Sequence, residues 1–313
     1  YIESDEWLTI EFSRGCIFNC AFCNFPVLGV REDYSRSASD AQEQLQDAFD
    51  RWGVTSYIVS DETFNDRVDK ITKFANVVEQ LSFEPFFVGY IRPDLLVSRE
   101  QDREELLRMN FLGQFYGIES FNNQSAKAVG KGMNTDRLAS GLLDVKKYFQ
   151  SHKNKLYRGS ISLITGLPFE TIDTINSTVD WLIENWQGEA FTISPLGIQR
   201  DNRTNHLSKI SSDYVKYGYT VMSDEEINVK LKNRAGSELQ HSSIAPGTNK
   251  FSVEEIYWKN DNMNYFDAVD ITKQVLEKKY AHNFAPNCHN LAYKFKTKLD
   301  AKQRLTLDFA KYN

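Results

Sequence analysis

The chain has 313 residues, of which 41% are hydrophobic and 13% aromatic, enough for one barrel-sized domain with an extension or for two modest domains. Its formal charge of −6 argues against a broad basic surface for nucleic acid. No apolar run approaches the ~20 residues of a membrane-spanning helix, so we expect no membrane partner. The sequence shows no signal-peptide pattern, and closely spaced cysteines in such a chain favour metal or redox chemistry over disulfides.

Strand-like and helix-like segments alternate from residue 7 to about residue 195. Short runs rich in β-branched and aromatic residues predict strands at residues 7–13, 54–60, 86–91, 111–118, 159–165 and 190–194. Helical spacing predicts helices at residues 39–52 (capped by Ser39 or Asp40), 66–81, 99–109, 135–149 (capped by Asn134 or Thr135) and 170–186. Six strands with a helix between each successive pair predict an α/β fold with a parallel sheet, whose functional residues lie beyond the carboxyl ends of the strands.

The alternation ends after Leu196, which predicts a core of residues 1–196 and an α-rich C-terminal extension of residues 197–313 that covers the substrate site. Helices are predicted in the extension at residues 223–232 and 265–280. The lysine-rich stretch 294–312 is expected to form a solvated helix face, with nucleic-acid contact as the alternative. Five side chains of the extension are candidates for a lid, or else ordinary packing: His206, Tyr214, Tyr217, Tyr219 and His241.

Three cysteines follow the first predicted strand with the spacing C-x3-C-x2-C: Cys16, Cys20 and Cys23. A [4Fe–4S] cluster normally takes four thiolates, so three thiolates on one short loop would leave one iron open for a small ligand. The alternative is a structural zinc site closed by Cys288 or His289. The sequence therefore predicts a metal site on this loop.

The whole motif, with the aromatic Phe22 before the last cysteine, resembles that of the radical S-adenosylmethionine (radical SAM) superfamily. The resemblance extends over residues 7–196 and implies a partial (β/α)6 TIM-type barrel. It implies that the three thiolates hold the [4Fe–4S] cluster and that SAM chelates the fourth iron through its amino and carboxylate groups. It also implies that Phe22 lies near the adenine of SAM.

The second predicted strand runs into Ser60-Asp61-Glu62-Thr63-Phe64. This segment stands where the family has a Gly-Gly-Glu element, and it resembles the D-[DE]-x-F version of radical SAM enzymes that have cobalamin-binding domains. The resemblance implies that Ser60, Asp61 and Glu62 receive the amino group of SAM. The alternative is a pair of solvated acids in a loop.

The fourth predicted strand ends in Gly117-Ile118-Glu119-Ser120, which is similar to the G-[IV]-[EQ]-S element of the same branch and of coproporphyrinogen-oxidase-like enzymes. The similarity implies that Glu119 and Ser120 lie near the ribose or methionine part of SAM. A carboxylate suits both a ribose diol and an ammonium group, because it accepts hydrogen bonds from each. Lys131 stands where the latter enzymes place a basic residue against the SAM carboxylate.

Residues 160–171 resemble the strand that flanks the adenine in this family, followed by G-L-P-x-E-T. The resemblance implies that Ser162, together with Leu196 after the sixth strand, contacts SAM. Glu170 is expected to cap the next helix, where free N–H groups favour a carboxylate. Arg92 follows the third strand and is expected to pair with Asp94, the alternative being an anionic substrate group.

The resemblance implies an enzyme that cleaves SAM reductively to a 5′-deoxyadenosyl radical, which takes hydrogen from an unactivated C–H bond. A cobalamin-dependent radical SAM methyltransferase is the second reading. It would need a cobalamin domain before residue 7 that is trimmed or lost, and the first residue is Tyr rather than Met. A non-catalytic iron–sulfur or zinc protein is the third. We expect a small-molecule, nucleotide or peptide substrate, an electron donor such as flavodoxin or ferredoxin, and a reducing cytoplasm.

Overall fold

The computed structural model describes residues 2–28, 34–153, 157–200, 207–232 and 254–285. The strands are β1 Trp7–Ile10, β2 Ser13–Arg14, β3 Tyr34–Ser35, β4 Ser56–Val59, β5 Phe86–Ile91, β6 Phe111–Glu119, β7 Arg158–Thr165, β8 Ala190–Pro195, β9 Gln199–Arg200, β10 Thr220–Val221, β11 Glu254–Glu255 and β12 Trp258–Lys259. The helices are α1 Phe25–Leu28, α2 Ala38–Trp52, α3 Val68–Val78, α4 Pro93–Ser98, α5 Glu100–Arg108, α6 Asn123–Ala128, α7 Thr135–Lys153, α8 Ile172–Asn185, α9 Lys209–Ser212, α10 Asp224–Lys232 and α11 Tyr265–Tyr280.

Six strands form one parallel sheet in the order β1-β4-β5-β6-β7-β8. Strand order follows chain order, and helices lie in the connections between successive strands, as parallel pairing requires. The fold is the predicted α/β architecture, a partial TIM-type barrel. All six carboxyl ends therefore meet at one edge, where the chain after β1 carries the cysteines.

An aromatic cluster fills the interior beside β1. Phe12 lies 4.5 Å from Phe74 of α3, centroid to centroid, and Phe64 lies 5.0 Å from Phe111 of β6. All four side chains are fully buried. Since Phe12 follows β1 and Phe64 follows β4, this packing fixes the two segments that lead to the site.

The predicted strands are all present, and the third predicted strand matches β5 at both ends. The first strand is shorter than predicted, because β1 ends at Ile10 and the chain turns into a two-stranded ribbon of β2 and β3. The caps are Ser37 for α2, whose hydroxyl accepts from the backbone N–H of Asp40, and Asn134 for α7. Ser39 and Asp40 were therefore the wrong caps for α2. The short helix α4 was not predicted.

The described part of the extension packs against β7 and β8. The indole N–H of Trp258 donates to the carbonyl of Leu196 at 2.8 Å, and Thr165 of β7 contacts Thr272 of α11 at 2.8 Å between hydroxyls. Gly166 has a φ of 86°, and an added Cβ would lie 2.3 Å from the Trp258 ring, so only glycine fits this contact. The predicted helices at 223–232 and 265–280 are present as α10 and α11. The predicted helix at 294–312 lies outside the described residues, and the domain division after residue 196 stays a prediction.

Candidate functional site

The first half of the cysteine loop is anchored to the chain after β4. The Asp61 carboxylate accepts from the Phe12 backbone N–H at 2.8 Å and from the Ser13 hydroxyl at 2.6 Å. The Glu62 carboxylate accepts from the Gly15 N–H at 3.2 Å. Gly15 has a φ of 110°, which lets the chain turn from β2 into the loop. Two adjacent acids thus hold the segment that precedes the first cysteine.

The second half of the loop is held by backbone hydrogen bonds from two other elements. The N–H of Ala21 donates to the carbonyl of Val129 at 3.0 Å, after α6. The carbonyl of Ala21 accepts from the N–H of Ile210 in α9 at 2.9 Å. Ala21 is buried between Cys20 and Cys23, so its backbone is fixed from both sides. The position of these cysteines depends on the core and on the extension together.

All three cysteines line one cavity of about 480 Å³ at the carboxyl ends of the strands. This volume lies in the range of about 300–1,000 Å³ that is usual for small-molecule sites. Burial raises the pKa of the Cys23 thiol, and the neighbouring Cys20, Cys16 and Glu119 raise it further. The Sγ of Cys16 lies 3.7 Å from the hydroxyl of Thr63. Several groups that carry negative charge when ionised therefore converge on one end of the cavity.

Glu119 reaches the cavity through an irregularity in β6. The pairing of β6 with β7 shifts register between Gly117 and Glu119, and Glu119 has a φ of 69°, which is rare for a residue other than glycine. The side chain is buried, and burial raises the pKa of its carboxyl group while Lys131 and Arg92 oppose the rise. The backbone conformation costs free energy, and such residues cluster at functional sites.

Lys131 lies opposite Glu119, with Nζ 3.4 Å from its carboxylate and 2.7 Å from the carbonyl oxygen of Gly117. Its Nζ also lies 5.8 Å from the centroid of the Phe22 ring. A Cβ at Gly117 would lie 2.7 Å from the Glu119 carboxylate, so a side chain here would require the carboxylate to move. A carboxylate, an ammonium group and an aromatic face thus share one wall of the cavity.

Eight of the twelve residues predicted to form the site line this cavity: Cys16, Cys20, Cys23, Phe22, Glu62, Glu119, Lys131 and Ser162. The other four are not among its lining residues. Asp61 is buried and accepts hydrogen bonds from Phe12 and Ser13, whereas its neighbour Glu62 lines the cavity. Ser60 donates its hydroxyl to the carbonyl of Ile10 at 3.3 Å, below the loop.

Ser120 also turns away from the cavity. Its hydroxyl donates to Glu170 at 2.7 Å. The other oxygen of Glu170 accepts from the N–H groups of Gly166 and Leu167 at 2.9 and 3.1 Å. Glu170 therefore closes the turn after β7 and does not cap α8, whose cap is Thr171.

Leu196 is buried beneath the extension. Its N–H donates to the carbonyl of Thr165 at 2.9 Å, and its own carbonyl accepts from Trp258. These bonds join β8 to β7 and to the extension, and they account for both polar groups of the Leu196 backbone. Leu196, which was predicted to contact SAM, is therefore not among the residues that line the cavity.

The predicted pair of Arg92 and Asp94 is confirmed, with Arg92 Nε at 2.8 and 3.1 Å from the two carboxylate oxygens. Arg92 also lines the cavity beside the cysteines. The cavity is also lined by residues that were not among the predicted site residues: Phe18, Asn24, Phe25, Pro26, Thr63, Tyr90, Ile91, Phe115, Gly117, Ile164 and Ser194. Some of these residues could have been predicted from the strand ends alone, because several of them lie at or just beyond the carboxyl ends of β4 to β8.

The lid candidates do not line the cavity where the structure describes them. Tyr219 is fully buried, and its hydroxyl donates to the carbonyl of Gly166 at 2.7 Å. Tyr214 and Tyr217 pack against the core. His206, His241, and the fourth zinc ligands considered above, Cys288 and His289, lie outside the described residues. Within the described residues, no three His, Cys, Asp or Glu side chains are grouped so as to hold a single metal ion.

The donor set fits a [4Fe–4S] cluster with a small ligand on its open iron. Three thiols border one cavity from a single loop, which provides three of the four cysteine ligands that such a cluster usually has. The rest of the cavity offers two carboxylates, an ammonium group and aromatic rings, which suit the ammonium, ribose and adenine of SAM. The chain can therefore accommodate both groups in adjoining parts of one site.

The helices in the described ranges include none that is both long and apolar enough to span a membrane. Residues 10–182, more than half of the chain, match the sequence profile of the Radical SAM superfamily. A protein of Methanocaldococcus jannaschii, provisionally named a methylthiotransferase, is 30% identical over 135 residues, which are 41% of this chain and 30% of that protein.

Two solved structures share the fold. TsrM, a radical S-adenosylmethionine methyltransferase of Kitasatospora setae solved with cobalamin and a [4Fe–4S] cluster, gives a TM-score of 0.62 at 12% identity, over 97% of this chain and 60% of that one. OxsB, a cobalamin-dependent S-adenosylmethionine radical enzyme, gives a TM-score of 0.54 at 15% identity, over 98% of this chain and 46% of that one. The chain thus spans between 30% and 60% of the length of these three relatives.

Proposed function

Because this chain belongs to the radical SAM superfamily, we propose that Cys16, Cys20 and Cys23 hold a [4Fe–4S] cluster with SAM beside it, and that the enzyme starts radical chemistry at a substrate C–H bond. The observation that supports this assignment is the cavity itself, which the three thiols share with Glu119 and Lys131. The chemistry supplied when both cofactors are bound is one-electron cleavage of the C5′–S bond of SAM, giving methionine and a 5′-deoxyadenosyl radical that takes hydrogen from the substrate.

The residues around the cavity have distinct tasks in this proposal. Glu119 accepts hydrogen bonds from the ribose or the ammonium group of SAM, since its buried carboxylate faces the cavity. Lys131 balances the charge of Glu119 and lies within reach of an incoming carboxylate. Glu62 lies next to the loop and offers a second acceptor, and Ser162 offers a hydroxyl on β7. Phe22 presents a flat apolar face for the adenine.

The extension has a supporting task. Residues 1–196 form the catalytic core in this proposal, and residues 197–313 complete the site. The hydrogen bond from Ile210 to Ala21 supports this role of the extension, because it connects α9 to the backbone between Cys20 and Cys23. An external donor of the flavodoxin or ferredoxin type would supply the electron, and the substrate is a small molecule, a nucleotide or a peptide.

The test is anaerobic reconstitution with iron and sulfide, followed by dithionite and SAM, with 5′-deoxyadenosine measured by mass spectrometry. We expect a [4Fe–4S] absorption spectrum and release of 5′-deoxyadenosine in the wild type and in Cys288→Ala. Cys20→Ala should lose both. A protein that binds one zinc ion instead, or loses its metal in Cys288→Ala, would contradict the proposal and support a zinc site.

Methyl transfer with cobalamin is the second candidate. The two relatives whose names state a transfer reaction move a methyl or a methylthio group, and the fold is shared with two enzymes described with cobalamin. The distinguishing measurement is incubation of the cluster-loaded protein with hydroxocobalamin, followed by gel filtration and the visible spectrum. Retained cobalamin, with S-adenosylhomocysteine formed from SAM, would favour this candidate. Release of 5′-deoxyadenosine with no S-adenosylhomocysteine would favour direct use of the adenosyl radical.

A further inference from the structure

Arg92 lies directly against the cysteine loop, although it follows β5 in sequence. Its guanidinium carbon is 3.7 Å from the centroid of the Phe18 ring, and its Nη1 is 3.9 Å from the Sγ of Cys20. Phe18 and Cys20 are both part of the loop, so one side chain contacts it at two points. The Arg92 side chain is only 8% exposed, which reduces the screening of its charge by water.

The backbone of Arg92 is held independently of this contact. Its N–H donates to the side-chain oxygen of Asn65 at 2.7 Å, and its carbonyl accepts from the side-chain nitrogen of Asn65 at 3.0 Å. Pro93 then begins α4. A substitution of the Arg92 side chain therefore leaves both of these backbone hydrogen bonds to Asn65 available.

Asp94 binds a different part of the guanidinium group. It pairs through Nε, at 2.8 and 3.1 Å, whereas the contact to Cys20 is made through Nη1. The positive end of this ion pair is thus the end nearer to the cysteine. A group held by Cys20 lies closer to the positive charge than to the negative one.

We infer that Arg92 is a positioning residue that raises the reduction potential of the bound cluster, and that Asp94 limits the increase. The inference rests on the proposed function, in which Cys20 is a ligand of a [4Fe–4S] cluster. Reduction adds one negative charge to the cluster, and a nearby positive charge stabilises the reduced state more than the oxidised state. The electron comes from an external donor of the flavodoxin or ferredoxin type.

The experiment is a redox titration of the cluster in the absence of SAM, followed by electron paramagnetic resonance of the reduced state. It compares wild type with Arg92→Gln, Arg92→Lys, Asp94→Asn and the double variant Arg92→Gln/Asp94→Asn. We expect a lower midpoint potential in Arg92→Gln, which loses the positive charge, and a higher one in Asp94→Asn, which loses the negative charge. Arg92→Lys and the double variant should lie between these two, near wild type.

Opposite shifts in the two single variants are the signature of charge, since mere loosening of the loop would not reverse sign between them. Equal potentials in all five proteins, or shifts of the same sign in both single variants, would overturn the inference and leave the proposed function intact. A wild-type protein that takes up no [4Fe–4S] cluster would overturn both. Iron and sulfide content, measured first, separates these outcomes.

Discussion

Lys131 and Glu119 form an ion pair in one wall of the cavity, with the Nζ of Lys131 3.4 Å from a carboxylate oxygen of Glu119. The ion pair connects the end of β6, where Glu119 lies, with the segment after α6 that contains Lys131. The carboxylate is buried and the ammonium group nearly so, which makes their interaction stronger than that of a surface pair. A ligand that enters this cavity therefore meets a pre-arranged acceptor and a neighbouring positive charge.

Glu119→Gln should weaken SAM binding. The amide keeps the shape of the side chain but loses the charge that the ammonium or ribose of SAM would meet. Hydrogen bonds to charged groups contribute about 1.5–3 kcal/mol, so the Kd for SAM should rise roughly 10- to 150-fold. Equilibrium dialysis of the cluster-loaded protein measures this. Ser120→Ala is the matched control, and a control that weakened SAM binding as much as Glu119→Gln would contradict the placement of these side chains.

Gly117→Ala should displace Glu119 while the fold is retained. The added Cβ would lie 2.7 Å from the Glu119 carboxylate, which must move out of its place beside Lys131. We expect at least a tenfold rise in the Kd for SAM and a shift of only a few degrees in Tm. Gly132→Ala serves as the control, because a Cβ there meets nothing within 4 Å. Unaltered SAM binding in Gly117→Ala would show that this pair does not contact SAM.

Asp61→Asn should lower the stability of the protein rather than its affinity for SAM. The amide still accepts from the N–H of Phe12 but no longer accepts from the Ser13 hydroxyl, which already receives a hydrogen bond from Lys70. A buried donor left without an acceptor costs about 1–3 kcal/mol of unfolding free energy. Urea denaturation of the apo protein measures the loss.

Glu62→Gln is the comparison for this prediction, since Glu62 is only partly buried and its amide can still accept from Gly15. Its unfolding free energy should stay within about 0.5 kcal/mol of wild type. If instead Asp61→Asn changed the Kd for SAM at unaltered stability, the original sequence-based interpretation of Asp61 as a SAM contact would be restored.

Glu170 should make stability depend on pH. Burial raises the pKa of its carboxyl group to about 7, against the hydrogen bonds from Ser120, Leu167 and Gly166 that lower it. The folded protein therefore holds a proton that the unfolded chain releases near pH 4.5. The resulting stability is fully present below pH 4.5 and is lost as pH rises toward 7, by roughly 3 kcal/mol.

The measurement is urea denaturation of wild type and Glu170→Gln between pH 4.5 and 8. Gln imitates the protonated acid, and other titrating groups cancel in the difference between the two proteins. Wild type should lose stability relative to the variant as pH rises. A difference that stays flat across this range would show that Glu170 is ionised in the folded protein throughout.

Much of the fold could be predicted, because β-branched runs and helical spacing are local signals. The strand β5 and the helix α11 were predicted to the residue for this reason. The motifs also indicated which segments meet at the cavity. They could not show which of two neighbours faces it: Glu62 and Glu119 line the cavity, whereas Asp61 and Ser120 point away from it. The direction of each side chain depends on the local backbone, such as the positive φ of Glu119, and on the packing on either side, neither of which the motifs encode.

The contact of Arg92 with Phe18 and Cys20 was beyond sequence reasoning for a related reason. Pairing with Asp94 is visible in the sequence, since the two residues lie two positions apart and have opposite charges. The cysteine loop is some 72 residues earlier in the chain, and its approach to Arg92 depends on the order of strands in the sheet.

The hydrogen bond between Ile210 and Ala21 can form only late in the synthesis of the chain, because its two residues are far apart in sequence. The neighbouring contact between Lys209 and Asn19 joins residues that are 190 positions apart. At about 5–20 residues per second, a ribosome needs roughly 10–40 s to make the intervening chain. The three thiols leave the ribosome long before α9 exists, so the side of the loop that α9 later contacts is uncovered during this interval.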